Sequence, residues 1–248
     1  INESEFRFKP LNEKQVLFGL GAVKGTGWAA IEVILAARQH QGPFKDLFDF
    51  CERLDLRKVN RRVIESLIRA GAFDCLTANR AALLGGVSLA ISAAEQSGAN
   101  TGQNSLFGAV SDSVAHQLPA IEMWSEQQRL LEEKAALGFY LSGHPFNAYK
   151  KELTQFVRGS LASIAPQDQP QTLAGIITAI RVRMTARGKM AIVTLDDTTA
   201  QLEIVVGNEL LNQSQHLVKE DQMVIVEGRV SHDDFSGGIR VNARKLYD

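Results

Sequence analysis

The sequence has few cysteines, almost no net charge and no long hydrophobic run. Its 248 residues include two cysteines, Cys51 and Cys75, whose spacing fits neither a zinc site nor a disulfide framework. We therefore expect a reducing compartment, the cytoplasm. No apolar run approaches the roughly 18 residues that span a bilayer, so we expect a soluble protein without membrane contact. The formal net charge of −1 excludes an overall basic field, so any nucleic-acid binding has to be local.

The sequence also lacks a recognisable catalytic constellation. Its five histidines are scattered over different predicted elements, and no Ser/His/Asp arrangement or Walker-type phosphate loop emerges. Two acidic pairs, Asp196-Asp197 and Asp233-Asp234, could hold metal ions in a nuclease. Both fall between predicted strands, where aspartate is favoured for its local hydrogen bonds. We interpret them as turns and predict no catalytic and no metal-binding residues.

The most informative segment is 16–38, in which a Gly-x-Gly turn separates two helical patterns. Lys24-Gly25-Thr26-Gly27 precedes a helix with a wide apolar face. The N-terminus of a helix presents unpaired N–H groups and about half a positive charge, and glycine lets a phosphate approach closely. We therefore predict that Lys24, Gly25, Thr26 and Gly27 bind a sugar-phosphate backbone. In the alternative interpretation, Gly25 only ends one helix and Gly27 only begins the next.

A second helical pair follows, and its turn at 55–60 contains no glycine, so we expect a mainly structural turn. Asn60 is a suitable N-cap for the following helix, and Gly71 a suitable residue to end it. Cations cluster around this helix N-terminus, where they oppose the helix dipole unless an anion lies nearby. They are Arg57, Lys58, Arg61 and Arg62. We predict that they contact a nucleic-acid backbone; the alternative is a solvated basic face.

Local patterns predict the remaining elements of the first half of the chain. Residues 4–18 alternate weakly around a turn at Pro10–Glu13, which predicts a small hairpin. A helix over Arg80–Glu95 precedes residues 96–120, whose Gly, Ser, Asn and Ala content predicts a linker. Ser125 and Gln128 form a capping box for a further helix.

The predicted linker contains the pentapeptide Gln103-Asn104-Ser105-Leu106-Phe107. Two large apolar side chains, Leu106 and Phe107, follow a polar anchor, Gln103, on a segment that cannot bury them in a core of its own. We predict that this pentapeptide binds a protein partner. In the alternative interpretation, Leu106 and Phe107 pack back onto their own domain.

From residue 172 onward the pattern changes to strands. Five strand patterns with one helical pattern between the third and the fourth follow the order of an OB-fold barrel. Cations lie along the end of the first strand and the following turn, where OB-folds often meet single-stranded nucleic acid. They are Arg181, Arg183, Arg187 and Lys189. Only two aromatic residues, Phe235 and Tyr247, could stack on bases here, so a weak salt-sensitive backbone contact and protein docking fit equally well.

The order of these motifs resembles the C-terminal half of the α subunits of bacterial DNA polymerase III, the replicative family C polymerases. The resemblance is carried by FGLGAVKGTG, VNRRVIESLIRAGAFD, QNSLF, EEKAALGFYLSGHPF, VTLDDTTAQLEIVV and SHDDFSGG. It implies a multidomain α + β fold, in which an all-α tandem helix-hairpin-helix domain is followed by a five-stranded OB-fold barrel. The implied segments are the end of the fingers at 1–15, the helix-hairpin-helix domain at 16–95, a linker with a clamp-binding motif at 96–120, a helical connector at 121–165 and the OB domain at 166–248.

The resemblance also implies roles for these segments. The Gly-x-Gly turn would hold duplex DNA behind the polymerase site, Gln103–Phe107 would bind the β sliding clamp, and the OB domain would lie near the single-stranded template. Other holoenzyme subunits are expected partners. Catalytic aspartates and their magnesium are expected in a palm upstream of Ile1, so we expect no cofactor in this chain.

Two other functional interpretations stay open at this point. An autonomous repair or recombination accessory protein could carry the same two modules, and a nuclease could use the two aspartate pairs. The absence of an initiator Met at Ile1 favours a piece of a longer protein.

Overall fold

A computed structural model describes residues 1–102, 117–157, 159–186, 188–232 and 238–248. The chain divides into two compact units, Ile1–Ser142 and Gly143–Asp248. The first unit is helical apart from one short hairpin, and the second is built around a closed β-barrel. The predicted α + β fold class is therefore confirmed. The predicted connector at 121–165 is not one element, because its helix belongs to the first unit and its later residues belong to the second.

The first unit contains one hairpin and five α-helices in its described residues. They are β1 (Lys9–Asn12), β2 (Gln15–Leu17), α1 (Trp28–Gln41), α2 (Leu47–Glu52), α3 (Arg61–Arg69), α4 (Arg80–Gly102) and α5 (Glu126–Leu137). The hairpin turns at residues 13 and 14, later than the predicted Pro10–Glu13, because the Asn12 side chain accepts a hydrogen bond from Lys14 N–H at 2.9 Å.

Side-chain caps begin four of these helices, and two of the caps, Asn60 and Ser125, were predicted. At α4 the Asn79 side chain accepts from Ala82 N–H at 3.0 Å. Asp46 accepts from two N–H groups of α2, Asn60 accepts from Val63 N–H at 3.2 Å, and Ser125 caps α5. Gly71 follows α3 with a φ of +81°, in the left-handed region that favours glycine. The apolar faces of these helices meet in one core, which includes Ile31, Ile34, Phe50, Ile64 and Leu67.

The structure differs from the predicted linker 96–120 at both ends. Helix α4 continues to Gly102, because a helix that is already formed gains one hydrogen bond for each added residue and can pass through weak helix formers. At the other end, Leu118 and Ile121 pack over Gly86 and Gly85 of α4, where a Cβ atom would overlap them. The Asn79 side chain also donates to Ile121 C=O at 2.8 Å. The segment after residue 117 is therefore fixed to α4.

A buried arginine joins the helices of the first unit. The Arg80 side chain is 5% exposed, and it donates to the Asp74 carboxylate at 2.5 and 2.7 Å, to Arg69 C=O at 3.1 Å and to Glu133 at 3.3 Å. Burial acts to lower the pKa of the guanidinium, but the hydrogen bonds and charges of Asp74 and Glu133 together outweigh it. The pKa of Arg80 therefore lies above its ordinary value, and the side chain stays charged.

Glu133 of α5 completes this buried network. Its side chain is 1% exposed, and the oxygen that does not face Arg80 accepts from the N–H groups of Leu141 and Ser142, each at 2.8 Å. Charged groups are tolerated in a protein interior when their hydrogen-bonding capacity is satisfied. The pair therefore links the C-terminal end of α3, the start of α4, helix α5 and the loop that follows α5.

The second unit is a five-stranded barrel preceded by short helical turns. Its regular elements are α6 (Lys150–Leu153), β3 (Gln171–Thr185), β4 (Gly188–Asp196), β5 (Gln201–Val206), α7 (Asn208–Gln213), β6 (Met223–His232) and β7 (Ile239–Tyr247). The strands close in the order β3-β4-β5-β7-β6, with only β5 and β7 parallel. The predicted order of five strands with a helix after the third is confirmed, and this helix, α7, is short, with six residues.

The Asp196-Asp197 pair forms a turn between β4 and β5. Asp197 is 3% exposed and accepts from the N–H groups of Leu161 and Thr199 at 2.8 Å each, from Ala200 N–H at 3.1 Å and from the Thr199 hydroxyl at 2.6 Å. These bonds confirm the turn interpretation of this pair. Asp233-Asp234 lies outside the described residues. Within the described part of the chain, no cluster of three or more His, Cys, Asp or Glu side chains could hold a metal ion.

Asp197 predicts a pH-dependent stability of the barrel. Burial acts to raise the pKa of its carboxyl, but the hydrogen bonds from Thr199, Leu161 and Ala200 outweigh it, so the folded-state pKa lies below the ordinary 3.8. The ionised carboxylate therefore stabilises the barrel above that value, and this contribution is lost as pH falls through the lower folded-state pKa. Asp197→Asn should lower the free energy of unfolding at pH 7 by about 1–3 kcal/mol.

Urea denaturation followed through the amide signals of β3 to β7 measures this effect at neutral and acidic pH. Asp197→Asn should lose less stability on acidification than the unsubstituted chain. The matched control is Asp168→Asn, because the Asp168 carboxylate is fully exposed. Equal effects of the two substitutions would contradict the role of Asp197.

Candidate nucleic-acid interface

The Gly25-Thr26-Gly27 turn joins a single turn of 3-10 helix, Leu20–Ala22, to α1. The first of the two predicted helices is therefore one short turn only. Gly25 has a φ of +84° and makes the reversal possible. The Thr26 hydroxyl lies 2.7 Å from Val23 C=O and 2.8 Å from Leu20 C=O, and Thr26 N–H donates to Val23 C=O at 3.2 Å. Thr26 therefore closes the turn from inside.

The N-terminus of α1 is open. Gly27 is its N-cap residue in an extended conformation, and no side chain caps the helix. Within the described part of the chain, the N–H groups of Gly27, Trp28 and Ala29 donate to no other atom. A Cβ atom at Gly27 would meet nothing within 4 Å. Unpaired N–H groups and the positive end of the helix dipole are thus accessible to an anion.

Lys24 is exposed and is held close to the turn by α5. Its N–H donates to Ala136 C=O at 2.8 Å, and its Nζ lies 3.4 Å from the position that a Cβ atom on Gly138 would take. Gly138 ends α5 in a left-handed conformation, with a φ of +95°. A cation at the C-terminal end of a helix is stabilised by the dipole. Lys24 therefore has a structural role in addition to the charge that it adds near Gly25.

Four cations were predicted around the turn at 55–60, and one of them lies beside the Gly25-Thr26-Gly27 turn in the structure. Arg62 on α3 lies beside Gly25, with its Nε 3.8 Å from the position of a Cβ atom on that glycine. Sequence spacing gives no signal of this contact, because 37 positions separate the two residues. The N–H groups of a guanidinium and those of an exposed backbone next to it can together donate hydrogen bonds to a phosphate.

The other three cations of this cluster are exposed at or near the turn before α3. Arg57 donates to Asp55 at 3.0 Å and Arg61 donates to Glu65 at 2.6 Å, so each has a carboxylate partner, whereas Lys58 is simply exposed. Exposed ion pairs of this kind contribute little to stability. Arg57 and Arg61 can therefore exchange their carboxylates for phosphates at small cost.

The barrel cations do not share one face. Arg183 of β3 lies opposite Met190 of β4, and Met184 lies opposite Lys189, so Arg183 and Lys189 project from opposite faces of the β3–β4 hairpin. Arg181 shares the face of Arg183 and is paired with Glu203 of β5. A one-residue shift in register near residue 178 decides which face each residue takes. Arg187 and the pentapeptide Gln103–Phe107 lie outside the described residues.

Comparison with known proteins identifies both units. Residues 1–83 match the helix-hairpin-helix motif family and residues 171–248 match the OB-fold nucleic acid binding domain family. DNA polymerase III subunit alpha from Neisseria meningitidis serogroup B is 47% identical over 99% of this chain, that from Vibrio cholerae is 42% identical over 100%, and that from Escherichia coli O157:H7 is 40% identical over 100%. The chain belongs to the DNA polymerase III α-subunit family. It spans about a fifth of the length of these relatives, 22% of each.

Family membership confirms the resemblance that the order of the motifs implies. The match to α subunits extends over the helical segments between the two modules as well as over the modules themselves. The helix-hairpin-helix match includes the open end of α1, and the OB match begins where β3 begins. No described helix is both long enough and apolar enough to cross a membrane.

The two glycines of the turn should respond differently to substitution. Gly25→Ala should lower the free energy of unfolding of the helical unit by about 1–2 kcal/mol, because an L residue is strained at a positive φ. Gly27→Asn should leave this free energy unchanged or raise it by a few tenths of a kcal/mol, because Asn caps helices well and has space here. Thermal and urea unfolding measure the free energy of unfolding of both variants. An equal loss in the two variants would contradict the assignment of Gly25 to a left-handed backbone conformation and of Gly27 to an open N-cap.

Proposed function

We propose that this chain is a non-catalytic DNA-binding and clamp-tethering segment of a replicative DNA polymerase III α subunit, acting in the cytoplasm. Polymerisation itself, with its magnesium, belongs to a palm outside this chain. The observation that carries the proposal is the open N-terminus of α1 beside Lys24 and Arg62, in a chain of the α-subunit family. The segment contributes to replication by keeping the polymerase on its substrate.

Duplex DNA is the ligand that this surface fits best. The unpaired N–H groups at Gly27, the helix dipole and the two nearby cations all favour a phosphate, and none of them distinguishes one base from another. A replicative polymerase has to hold every sequence equally well, so backbone contacts suit its task. The exposed cations of the second turn, Arg57, Lys58 and Arg61, extend the contact along the duplex.

The pentapeptide Gln103–Phe107 supplies the proposed tether to the sliding clamp. It lies in sequence between Gly102, where α4 ends, and Leu118, which packs on α4. In the proposed complex Leu106 and Phe107 fill an apolar pocket and Gln103 forms hydrogen bonds. Once DNA is bound, clamp binding becomes intramolecular, so even a weak peptide raises the residence time through effective concentration.

The OB unit is proposed to contact the single-stranded template, with other holoenzyme subunits nearby. Arg183 and Lys189 are exposed on the β3–β4 hairpin, and opposite faces allow a strand to pass around the hairpin rather than along one side. Tyr247 is the only aromatic residue in the described strands of the barrel, which favours contacts to phosphates over base stacking. We therefore expect weak, salt-sensitive binding by this unit.

Substitution of Gly27 tests the duplex contact. In Gly27→Asn the side-chain oxygen accepts from the N–H groups that a phosphate would otherwise use. Duplex affinity should fall by about five- to tenfold, and the slope of log affinity against log salt should decrease by about one. Fluorescence anisotropy of a labelled duplex across a salt series measures both quantities.

The matched control is Gly207→Asn. Gly207 is the N-cap residue of α7, has no side-chain cap and, like Gly27, has open space where a Cβ atom would lie. It should leave duplex binding unchanged. If Gly27→Asn also leaves the titrations unchanged, the glycines only begin and end helices.

A double substitution tests the tether. Gln103→Ala with Phe107→Ala should abolish binding of the full chain to purified β clamp while duplex affinity stays the same, because the DNA surface lies on other residues. Surface plasmon resonance measures the clamp interaction. Asn104→Ala with Ser105→Ala, at the two variable positions of the motif, should retain clamp binding. Clamp binding by the first double variant would refute the tether.

A further inference from the structure

Trp28 is a large aromatic side chain that the fold leaves on the surface beside the open end of α1. It is the first residue of α1, directly after Gly27, and 57% of it is exposed. Within the described part of the chain, its Nε1–H donates to no other atom. Tryptophan combines a large apolar area with a hydrogen-bond donor, which is why it is frequent at binding surfaces.

The indole of Trp28 is held in place. Its ring packs edge-to-face against Phe6, with 4.5 Å between ring centroids and an interplanar angle of 75°. The Phe6 ring in turn lies over Gly21, where a Cβ atom would overlap it, and Gly21 N–H donates to Phe6 C=O at 3.0 Å. A side chain that is already ordered loses little conformational entropy when a ligand binds.

The surroundings of Trp28 indicate which ligand it meets. The adjacent N–H groups are unpaired, the preceding turn carries the cation Lys24, and Arg62 of α3 lies beside Gly25 of that turn. This combination is complementary to a polymer that alternates anionic phosphates with sugar rings, because the ring of an indole covers apolar sugar carbons while its N–H donates to an anion. An apolar groove of a protein partner would gain nothing from these two charges.

We propose that Trp28 is a DNA-contacting residue. Its indole packs on a deoxyribose, and its Nε1–H donates to a phosphate adjacent to the phosphate that accepts from the Gly27 N–H group. This inference rests on the proposed duplex-binding function and adds to it an aromatic contact. Trp28 thereby fixes the position of the backbone along the turn, whereas the cations supply long-range attraction.

Tryptophan fluorescence tests the contact directly. The chain contains two tryptophans, so Trp124→Phe leaves Trp28 as the only one. Titration of this variant with duplex DNA should quench the Trp28 emission, with the same midpoint as the anisotropy of a labelled duplex. The matched variant Trp28→Phe reports from Trp124, which is half-buried near the start of α5, and its emission should stay constant.

Affinity measurements complete the test. Trp28→Ala should weaken duplex binding by about tenfold and Trp28→Phe by less, because phenylalanine keeps the ring contact and loses the donor. Unchanged Trp28 emission in a chain whose anisotropy reports duplex binding would overturn the proposal and leave the proposed function intact. Absence of duplex binding by every form of the chain would instead overturn the proposed function together with this contact.

Discussion

The buried pairing of Arg80 with Glu133 is the interaction on which the helical unit depends. Each charge would be costly to bury alone, and each is compensated by the other, by Asp74 and by backbone groups of Arg69, Leu141 and Ser142. The pair fixes α5 against α3 and α4. Because Ala136 of α5 accepts from Lys24 N–H, the same pair also determines where the turn before α1 lies. The proposed DNA surface therefore depends on a contact made elsewhere in the unit.

The helix N-termini of this unit are of two kinds, those capped by a side chain and the open one at α1. Helices α2, α3, α4 and α5 use side-chain caps to satisfy their first N–H groups, whereas α1 has glycine at its N-cap and leaves them open. With glycine at the N-cap, α1 forgoes about a few tenths of a kcal/mol of the stabilisation that an Asn, Ser or Asp cap would supply. A phosphate bound at this end would accept the hydrogen bonds that no side-chain cap accepts, so the open end of α1 is compatible with the proposed DNA contact.

Local patterns were sufficient for most of the fold. Alternating apolar residues predicted all five barrel strands, Asn60 and Ser125 predicted two helix starts, and the Asp196-Asp197 turn followed from the preference of aspartate for local hydrogen bonds. The linker prediction failed at its edges because weak helix formers can still extend an existing helix. It also failed because Leu118 and Ile121 find their partners at Gly86 and Gly85, more than 30 residues earlier in the chain.

The sequence alone determined the order of the modules, their turns and caps, and through them the family, because each of these signals spans only a few neighbouring residues. Only the tertiary structure decided that Arg62 lies beside Gly25, that α5 holds Lys24, and that Trp28 stays exposed. It also placed Arg183 and Lys189 on opposite faces, through a single-residue shift in β3. These outcomes depend on long-range packing and on strand register, where a displacement of one residue reverses the side to which a side chain points.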